Sequence, residues 1–320
     1  MNRAEAMQVI VAYQHAVQAD RLQALLGEDA QVRGMAQLPA HGTIDADVLV
    51  TTRLASDEAA RLRVRLLHAP ATGLDGIALE ALPADCQVCI VRGHEVPIAE
   101  YVTHAILEHF LDRAAQPWQL DEKHWPAAYL QRPQHEEAAG HTVLILGFGH
   151  IGREIAVRAR ALQMQILAVT RRGDSEELAH RTVAFDRLSA VLPEADAVVV
   201  CCPLDQTTRG CIGAAELARM KPGALLVNVA RGEVVDEEAL FRALRDRRIA
   251  RAVLDVWYAY PREADASLAP SRFPFHTLPN VRCTPHVSGW TNELLPRRYR
   301  LVAQNIRRLR DGEPLLNRVR

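Results

Sequence analysis

Charge of one sign, cysteine and long apolar runs are all scarce in this 320-residue chain. Its 38 basic residues face 39 acidic ones, for a formal net charge of -1, and the two signs are interspersed. That balance excludes the basic footprint of a nucleic-acid surface and the acidic tail of a solvating segment. No apolar stretch approaches the roughly 20 residues a membrane helix needs. Six cysteines are too few for a disulfide scaffold of this length. Cys86-Gln-Val-Cys89 has redox or metal spacing. It lies in an apolar run that reads as a strand, where alternate residues take opposite faces, so reduced buried thiols are expected. The 13 histidines show neither HExxH nor a paired Cys/His spacing, so no metal site is expected. Residues 1–20 carry one arginine and no apolar core followed by a cleavage site, which predicts a mature, cytoplasmic chain.

What is present is ordinary globular material, 49% apolar and 24% charged, enough for two domains with sizeable cores. Short apolar runs alternate with helical patterns. Strands are predicted over 8–11, 47–50 and 64–67, with helices over 15–26 and 97–110; Pro97 sits in a first turn, where its missing N–H costs nothing. Residues 116–140 are polar and irregular, with Pro117, Pro126 and Pro133, and mark a boundary. A second series follows, with strands over 142–146, 165–169, 197–201, 224–229 and 252–254. Helices fall over 151–162 and 236–245, the latter capped by Asp236, and a last helix over 292–310. Such alternation predicts an α/β fold of parallel sheets with right-handed crossovers. No fixed-period repeat appears.

Gly147-Phe148-Gly149-His150-Ile151-Gly152 is a GxGxxG that follows one predicted strand and opens a helix. In that context the first glycine makes the tight turn, the second admits a pyrophosphate, and the third lets helix and strand pack. The phosphates then meet the helix N-terminus. An acidic residue about 20 positions on would hold the ribose 2′-hydroxyl of NAD; that place holds Thr170, followed by Arg171 and Arg172. Guanidinium groups suit a 2′-phosphate, so NADP(H) is expected over NAD(H), the competing account being a solvated arginine pair. Val229-Ala230-Arg231-Gly232 and Asp255 follow two later strands, at the ends that open on a ligand crevice. Thr284-Pro285-His286 puts a histidine in a loop, where it is either an acid/base or a structural side chain.

These segments, in this order, resemble the D-isomer-specific 2-hydroxyacid dehydrogenase family from about Arg63 to Asn317. The segment Gly93-His94-Glu95-Val96-Pro97 with Ala99-Glu100, the GxGxxG, Cys202-Pro203-Leu204 with Thr208, and Met220-Lys221-Pro222-Gly223 all take part. The resemblance implies two doubly wound domains, with a Rossmann-type cofactor domain inserted into a flavodoxin-like substrate domain and two long helices crossing between them. Its divisions would be 1–113 for the first part of the substrate domain, 114–290 for the cofactor domain and 291–320 for a returning helix. It makes Arg231 the anchor of a 2-oxo acid's carboxylate and carbonyl oxygen, and His286 the proton donor in reduction. Asp255 would hold the nicotinamide carboxamide, and Thr72 and Gly73 would offer backbone N–H groups to the substrate. Cys202, Pro203, Thr208, Val229, Ala230 and Gly289 would line the cofactor. The implied assembly is a homodimer.

Three departures stand out. The family's catalytic Glu, five residues past the match to Asp255, is here Tyr260. A Glu raises the pKa of the catalytic histidine, whereas a neutral phenol orients it without charge. The imidazole is therefore expected to titrate near or below its reference of about 6.5, and reduction to fade as pH rises. His94 stands where Asn is usual and either faces substrate or caps the helix. Trp257, Ser288-Gly289 and Thr291 resemble formate dehydrogenases of the same superfamily. Trp290 reads as an anchor between helices. Two alternatives therefore accompany the 2-oxo acid reductase: a formate-dehydrogenase-like enzyme, and a weakly catalytic cofactor sensor.

Overall fold

The computed structural model describes residues 6–111, 120–261 and 267–320. The chain divides into two units, Met1–Gly93 with Thr291–Arg320, and His94–Trp290. The first opens with β1 (Met7–Ala12), α1 (Ala19–Leu26), β2 (Ala30–Met35), β3 (Ile44–Asp45), β4 (Val48–Val50), α2 (Ser56–Ala59), β5 (Leu62–Arg63), β6 (Leu66–Ala69) and β7 (Gln87–Ile90). Five of these strands form a parallel sheet in the order β2-β1-β4-β6-β7, and β3 pairs with β5. The central strands read as continuous apolar runs because both faces are covered. Cys89 packs on one face and Cys86 on the other, as alternation requires. All six cysteines are free thiols, and burial pushes Cys89 up to about 11.

The second unit holds α3 (Glu95–Leu111), α4 (Trp125–Leu130), β8 (Thr142–Leu146), α5 (His150–Ala161), β9 (Gln165–Thr170), β10 (Arg181–Ala184), α6 (Leu188–Val191), β11 (Ala197–Val200), α7 (Ala214–Arg219), β12 (Leu225–Asn228), α8 (Glu237–Arg245), β13 (Arg251–Leu254) and β14 (Val281–Cys283). Its seven strands are all parallel, ordered β10-β9-β8-β11-β12-β13-β14. The order reverses direction at β8, the switch point where a doubly wound sheet opens a ligand crevice. As predicted, Asp236 caps α8, its carboxylate accepting from the Ala239 amide at 2.8 Å.

The last helix, α9 (Leu294–Arg310), returns to the first unit, where Tyr299, Val302 and Ile306 pack with Val9, Leu22 and Val48. The later division falls after Trp290. The earlier division falls after Gly93 and not after residue 113. The apolar side of α3 (Ile98, Val102, Ile106) joins Val143, Ile145 and Ala156, so packing assigns this helix to the second unit. Residues 116–119 of the expected linker lie outside the described residues. Within that linker the structure adds α4, whose Trp125, Tyr129 and Leu130 are exposed. The helix expected from residue 15 starts as a 3-10 turn, Tyr13–Gln18, and becomes α-helical at Ala19. The edge strands β2, β10 and β14 escaped the sequence because they are short or carry polar residues.

In the first unit, fully buried His68 on β6 accepts at Nε2 from the Asn305 amide of α9 at 2.9 Å. Burial lowers its pKa from 6.5 to about 4, and His15 is lowered to about 4 by the same cause. The unfolded chain therefore takes up protons first as pH falls. Stability contributed by these neutral rings is complete above pH 6.5 and is lost between about 6.5 and 4. Thermal melts across that window are expected to fall steadily, and His68→Gln to flatten the fall; an unchanged slope would remove His68 from the account.

Candidate active site

The carboxyl edge of the second sheet collects the chemistry. Between β8 and α5 the glycine run has three distinct steric roles. Gly147 has φ +95°, and a Cβ there would lie 2.6 Å from the backbone of Cys202. A Cβ on Gly152 would lie 2.3 Å from the carbonyl oxygen of Gly147. Neither place admits a side chain. Around Gly149 nothing lies within 4 Å of such an atom, and no side chain caps the helix that starts at His150. Open space in front of an uncapped helix N-terminus is what a pyrophosphate requires, so Gly149, His150 and Ile151 fit the group.

At the end of β9 the Thr170 hydroxyl accepts from the Gly173 amide at 2.9 Å and closes the turn that presents Arg171 and Arg172. Both guanidinium groups are exposed. Each has a carboxylate partner, one local and one brought by the fold: Asp174, two residues on, lies 3.1 Å from Arg172, and Asp205 lies 3.5 Å from Arg171. Exposed pairs of this kind are worth about 0–1 kcal/mol, little enough for either arginine to exchange its partner for a phosphate. Thr208, expected against the cofactor, is buried and spends its hydroxyl on its own turn. It donates to the Pro203 carbonyl at 2.7 Å and accepts from the Asp205 amide at 2.8 Å. Its work is to shape the loop after Cys202.

The second half of the site is built by β12, β13 and the loop after β14. Asn228 is buried at the end of β12; its side chain accepts from the Ala230 amide at 3.1 Å and donates to the Arg231 carbonyl at 2.9 Å. That clamp sets the backbone from which the Arg231 side chain leaves. Gly232 is needed next to it, because a Cβ there would lie 2.5 Å from the Trp257 carbonyl.

Asp255 is fully buried at the end of β13. Its carboxylate accepts from the Thr284 hydroxyl at 2.6 Å and from the amides of Val287 and Ser288, each at 2.8 Å. Because a carboxylate only accepts, Thr284 must donate to it, and therefore accepts from the Tyr101 hydroxyl at 2.7 Å. Trp257 adds an indole N–H to the Thr284 carbonyl at 2.8 Å. These bonds surround His286, whose φ of +59° is left-handed and uncommon outside glycine. The loop conformation is thus imposed by Asp255, in addition to any contact with a nicotinamide; one of its lone-pair sites remains for that.

Tyr260 lies beside His286, ring centroids 5.7 Å apart and planes tilted by 52°. Its hydroxyl accepts from the Trp257 amide at 3.0 Å, so the contact with the imidazole is between rings and not through the phenol oxygen. Partial desolvation, the largest cause, pushes the His286 pKa below 6.5; Asp255 opposes this and Arg231 adds to it. Arg231 also acts electrostatically on Tyr260. The guanidinium, the imidazole, the phenol and the buried carboxylate therefore share one field. His94 caps α3 through its carbonyl, which accepts from the Ile98 amide at 3.2 Å, and its Cβ faces Gly289 of the His286 loop. Trp290, expected as a packed anchor, is exposed. In the other unit the loop after β6 is pinned by Thr72, whose hydroxyl donates to the Val91 carbonyl at 3.2 Å.

Tyr101 and the bonding role of Thr284 had no sequence signal of their own, because the two are brought together by folding across 183 positions. No cluster that would hold a metal ion occurs among the described residues.

Residues 105–288 match the model of the D-isomer specific 2-hydroxyacid dehydrogenase NAD-binding domain. Over 242 residues the chain is 38% identical to the (S)-sulfolactate dehydrogenase of Chromohalobacter salexigens, covering 74% of each protein. Over 174 residues it is 38% identical to a glyoxylate reductase of Thermococcus gammatolerans, covering 54% of this chain and 50% of that one. A D-isomer specific 2-hydroxyacid dehydrogenase of Xanthobacter autotrophicus Py2, solved with NADPH and MES, is 27% identical with a TM-score of 0.75, covering 98% of both chains. A family protein of Aeromonas salmonicida is 26% identical with a TM-score of 0.76, covering 98% of this chain and 99% of that one.

Proposed function

This chain belongs to the D-isomer specific 2-hydroxyacid dehydrogenase family, and on that premise we propose that it reduces a 2-oxo acid to a D-2-hydroxy acid with NADPH. One observation carries the reading: Arg231, Asp255 and His286 follow the carboxyl ends of β12, β13 and β14, in the same parallel sheet whose strand β8 ends in the open glycine turn. The chemistry supplied by a bound nicotinamide is hydride transfer to the carbonyl carbon. Negative charge then grows on the carbonyl oxygen. Arg231 stabilises it and grips the adjacent carboxylate, while an imidazole nitrogen of His286 delivers a proton to that oxygen. Asp255 keeps the imidazole aimed by fixing both amides that follow it. Thr72 and Gly73 are proposed to bind substrate through their backbone amides, and Arg171 and Arg172 to select the 2′-phosphate. A cytoplasmic homodimer is the proposed form, a second copy covering the exposed apolar residues of α4.

The test is a screen of both cofactors against glyoxylate, hydroxypyruvate, pyruvate, bulkier 2-oxo acids and one carrying a sulfonate. NADPH is expected to give the higher kcat/KM. Arg171→Ser with Arg172→Ser should lower the NADPH value by roughly 10- to 100-fold, the loss of one or two charge-assisted bonds, and spare NADH. Preference for NADH in the unaltered protein would reverse the cofactor assignment. Formate oxidation would favour the formate-dehydrogenase-like reading. Tight cofactor binding without turnover on any acid would favour a sensor.

A further inference from the structure

At the opposite, amino edge of the seven-stranded sheet lies an open cavity of about 550 Å³. Its floor is made by residues that immediately precede strands: His141 before β8, Asp196 before β11, Ala250 before β13 and Asn280 before β14. Five residues of β8 separate it from the glycine turn, roughly 16 Å of extended chain, so it is not the cofactor crevice.

Most polar groups around it are already satisfied. Lys221 is paired with Asp196 at 2.7 Å, and Arg251 with Glu108 at 3.2 Å. Four groups are without a partner among the described residues. Asn280 is 6% exposed; its amide nitrogen donates to the carbonyls of Leu244 and Ala250, at 3.1 and 3.2 Å. Those two acceptors fix the amide orientation, and Oδ1 is left buried without a donor. A buried acceptor in that state is costly and calls for a partner. The Nδ1 of His141 is likewise buried and unpartnered. The guanidinium of Arg247 lines the cavity with no ion pair among the described residues, and Glu136 supplies a carboxylate in the same condition. Arg247 also has φ +54°, at a place just past α8 where glycine is the ordinary residue. An arginine kept in left-handed backbone points to a use for its side chain.

We propose that this cavity binds a free α-amino acid. Its carboxylate lies on Arg247, and its ammonium group donates to Asn280 Oδ1 and Glu136. The unpaired cation and the unpaired acceptors are separate, so a ligand that carries both charges is the one that satisfies both. A simple carboxylate or a simple amine answers only half of the site. The inference does not depend on the proposed reaction, because amino acids carry nitrogen at C2 in place of the 2-oxo or 2-hydroxyl group that the other edge would act on.

The experiment is calorimetric titration and thermal shift of the full chain with L-alanine, L-serine and L-glutamate. Propionate and ethanolamine serve as half-ligand controls. At ~10 mM, about ten times a millimolar Kd, an amino acid is expected to raise the Tm and the controls to leave it unmoved. Arg247→Gly is expected to fold with an equal or higher Tm, since it relieves the left-handed backbone, and to lose the response. Glu136→Gln should weaken the response and Arg247→Lys retain part of it. Equal responses to propionate, an undiminished response in Arg247→Gly, or no heat with any amino acid would each overturn the assignment.

Discussion

Arg231→Gln lowers kcat/KM for 2-oxo acid reduction by about a thousandfold, and the residual activity keeps its upper pH limb at a higher pH than the unaltered protein. The first effect is the loss of a fixed cation where the oxyanion develops; one preorganised donor is worth about 2.7–4 kcal/mol, or 100- to 1000-fold. A guanidinium that also forks onto the substrate carboxylate puts the expectation at the upper end. The second effect separates electrostatics from packing. Arg231 is one of the groups that hold the His286 pKa down, so its removal lets the imidazole stay protonated to higher pH. A substitution that only loosened the turn clamped by Asn228 would reduce activity without that upward movement. Steady-state kinetics between pH 5 and 9 read both. A loss under tenfold would remove Arg231 from the chemistry.

The second large effect belongs to Tyr260→Glu. Reduction needs a protonated His286, whose pKa lies below 6.5 in the present setting, so activity falls about tenfold for each pH unit above it. A carboxylate at position 260 is a negative charge near the imidazolium. At the separation of the present rings, 5.7 Å, a charge pair near the surface is worth about 3 kcal/mol. Tyr260 is 46% exposed, and solvent screening cuts that value by half or more. The upper limb is therefore expected to move up by about one pH unit, raising activity near pH 8 roughly tenfold. Tyr260→Phe removes the acceptor of the Trp257 amide but adds no charge, and should leave the limb in place. A Glu variant with the same limb as the Phe variant would show that position 260 does not set the histidine's charge.

The parts of the site that were legible in the sequence are those whose chemistry is local. The glycine turn is a run of six residues, and Gly152 meets the carbonyl of Gly147 within that same run. Asp236 was readable for the same reason, since a cap bonds three residues ahead. The Thr170-Arg171-Arg172 corner was half legible. The arginines are visible, but Asp205, 34 positions after Arg171, is brought to them by the loop that Thr208 shapes. Thr208 illustrates the complementary failure. A hydroxyl near a cofactor strand reads as a ligand until its own turn is found to consume it.

What the sequence determined by itself is the alternation of the central strands and helices and the mononucleotide turn. Apolar period, glycine and proline are properties of neighbouring residues, and they survive without knowledge of the fold. Tertiary structure alone decided that α3 belongs with the second unit, that the Tyr260 phenol meets Trp257 while its ring meets His286, and that a Tyr101–Thr284–Asp255 chain holds the histidine loop in left-handed backbone. Those outcomes depend on which groups become buried together. A buried carboxylate takes whatever donors the fold places around it, and no spacing along the chain encodes that choice.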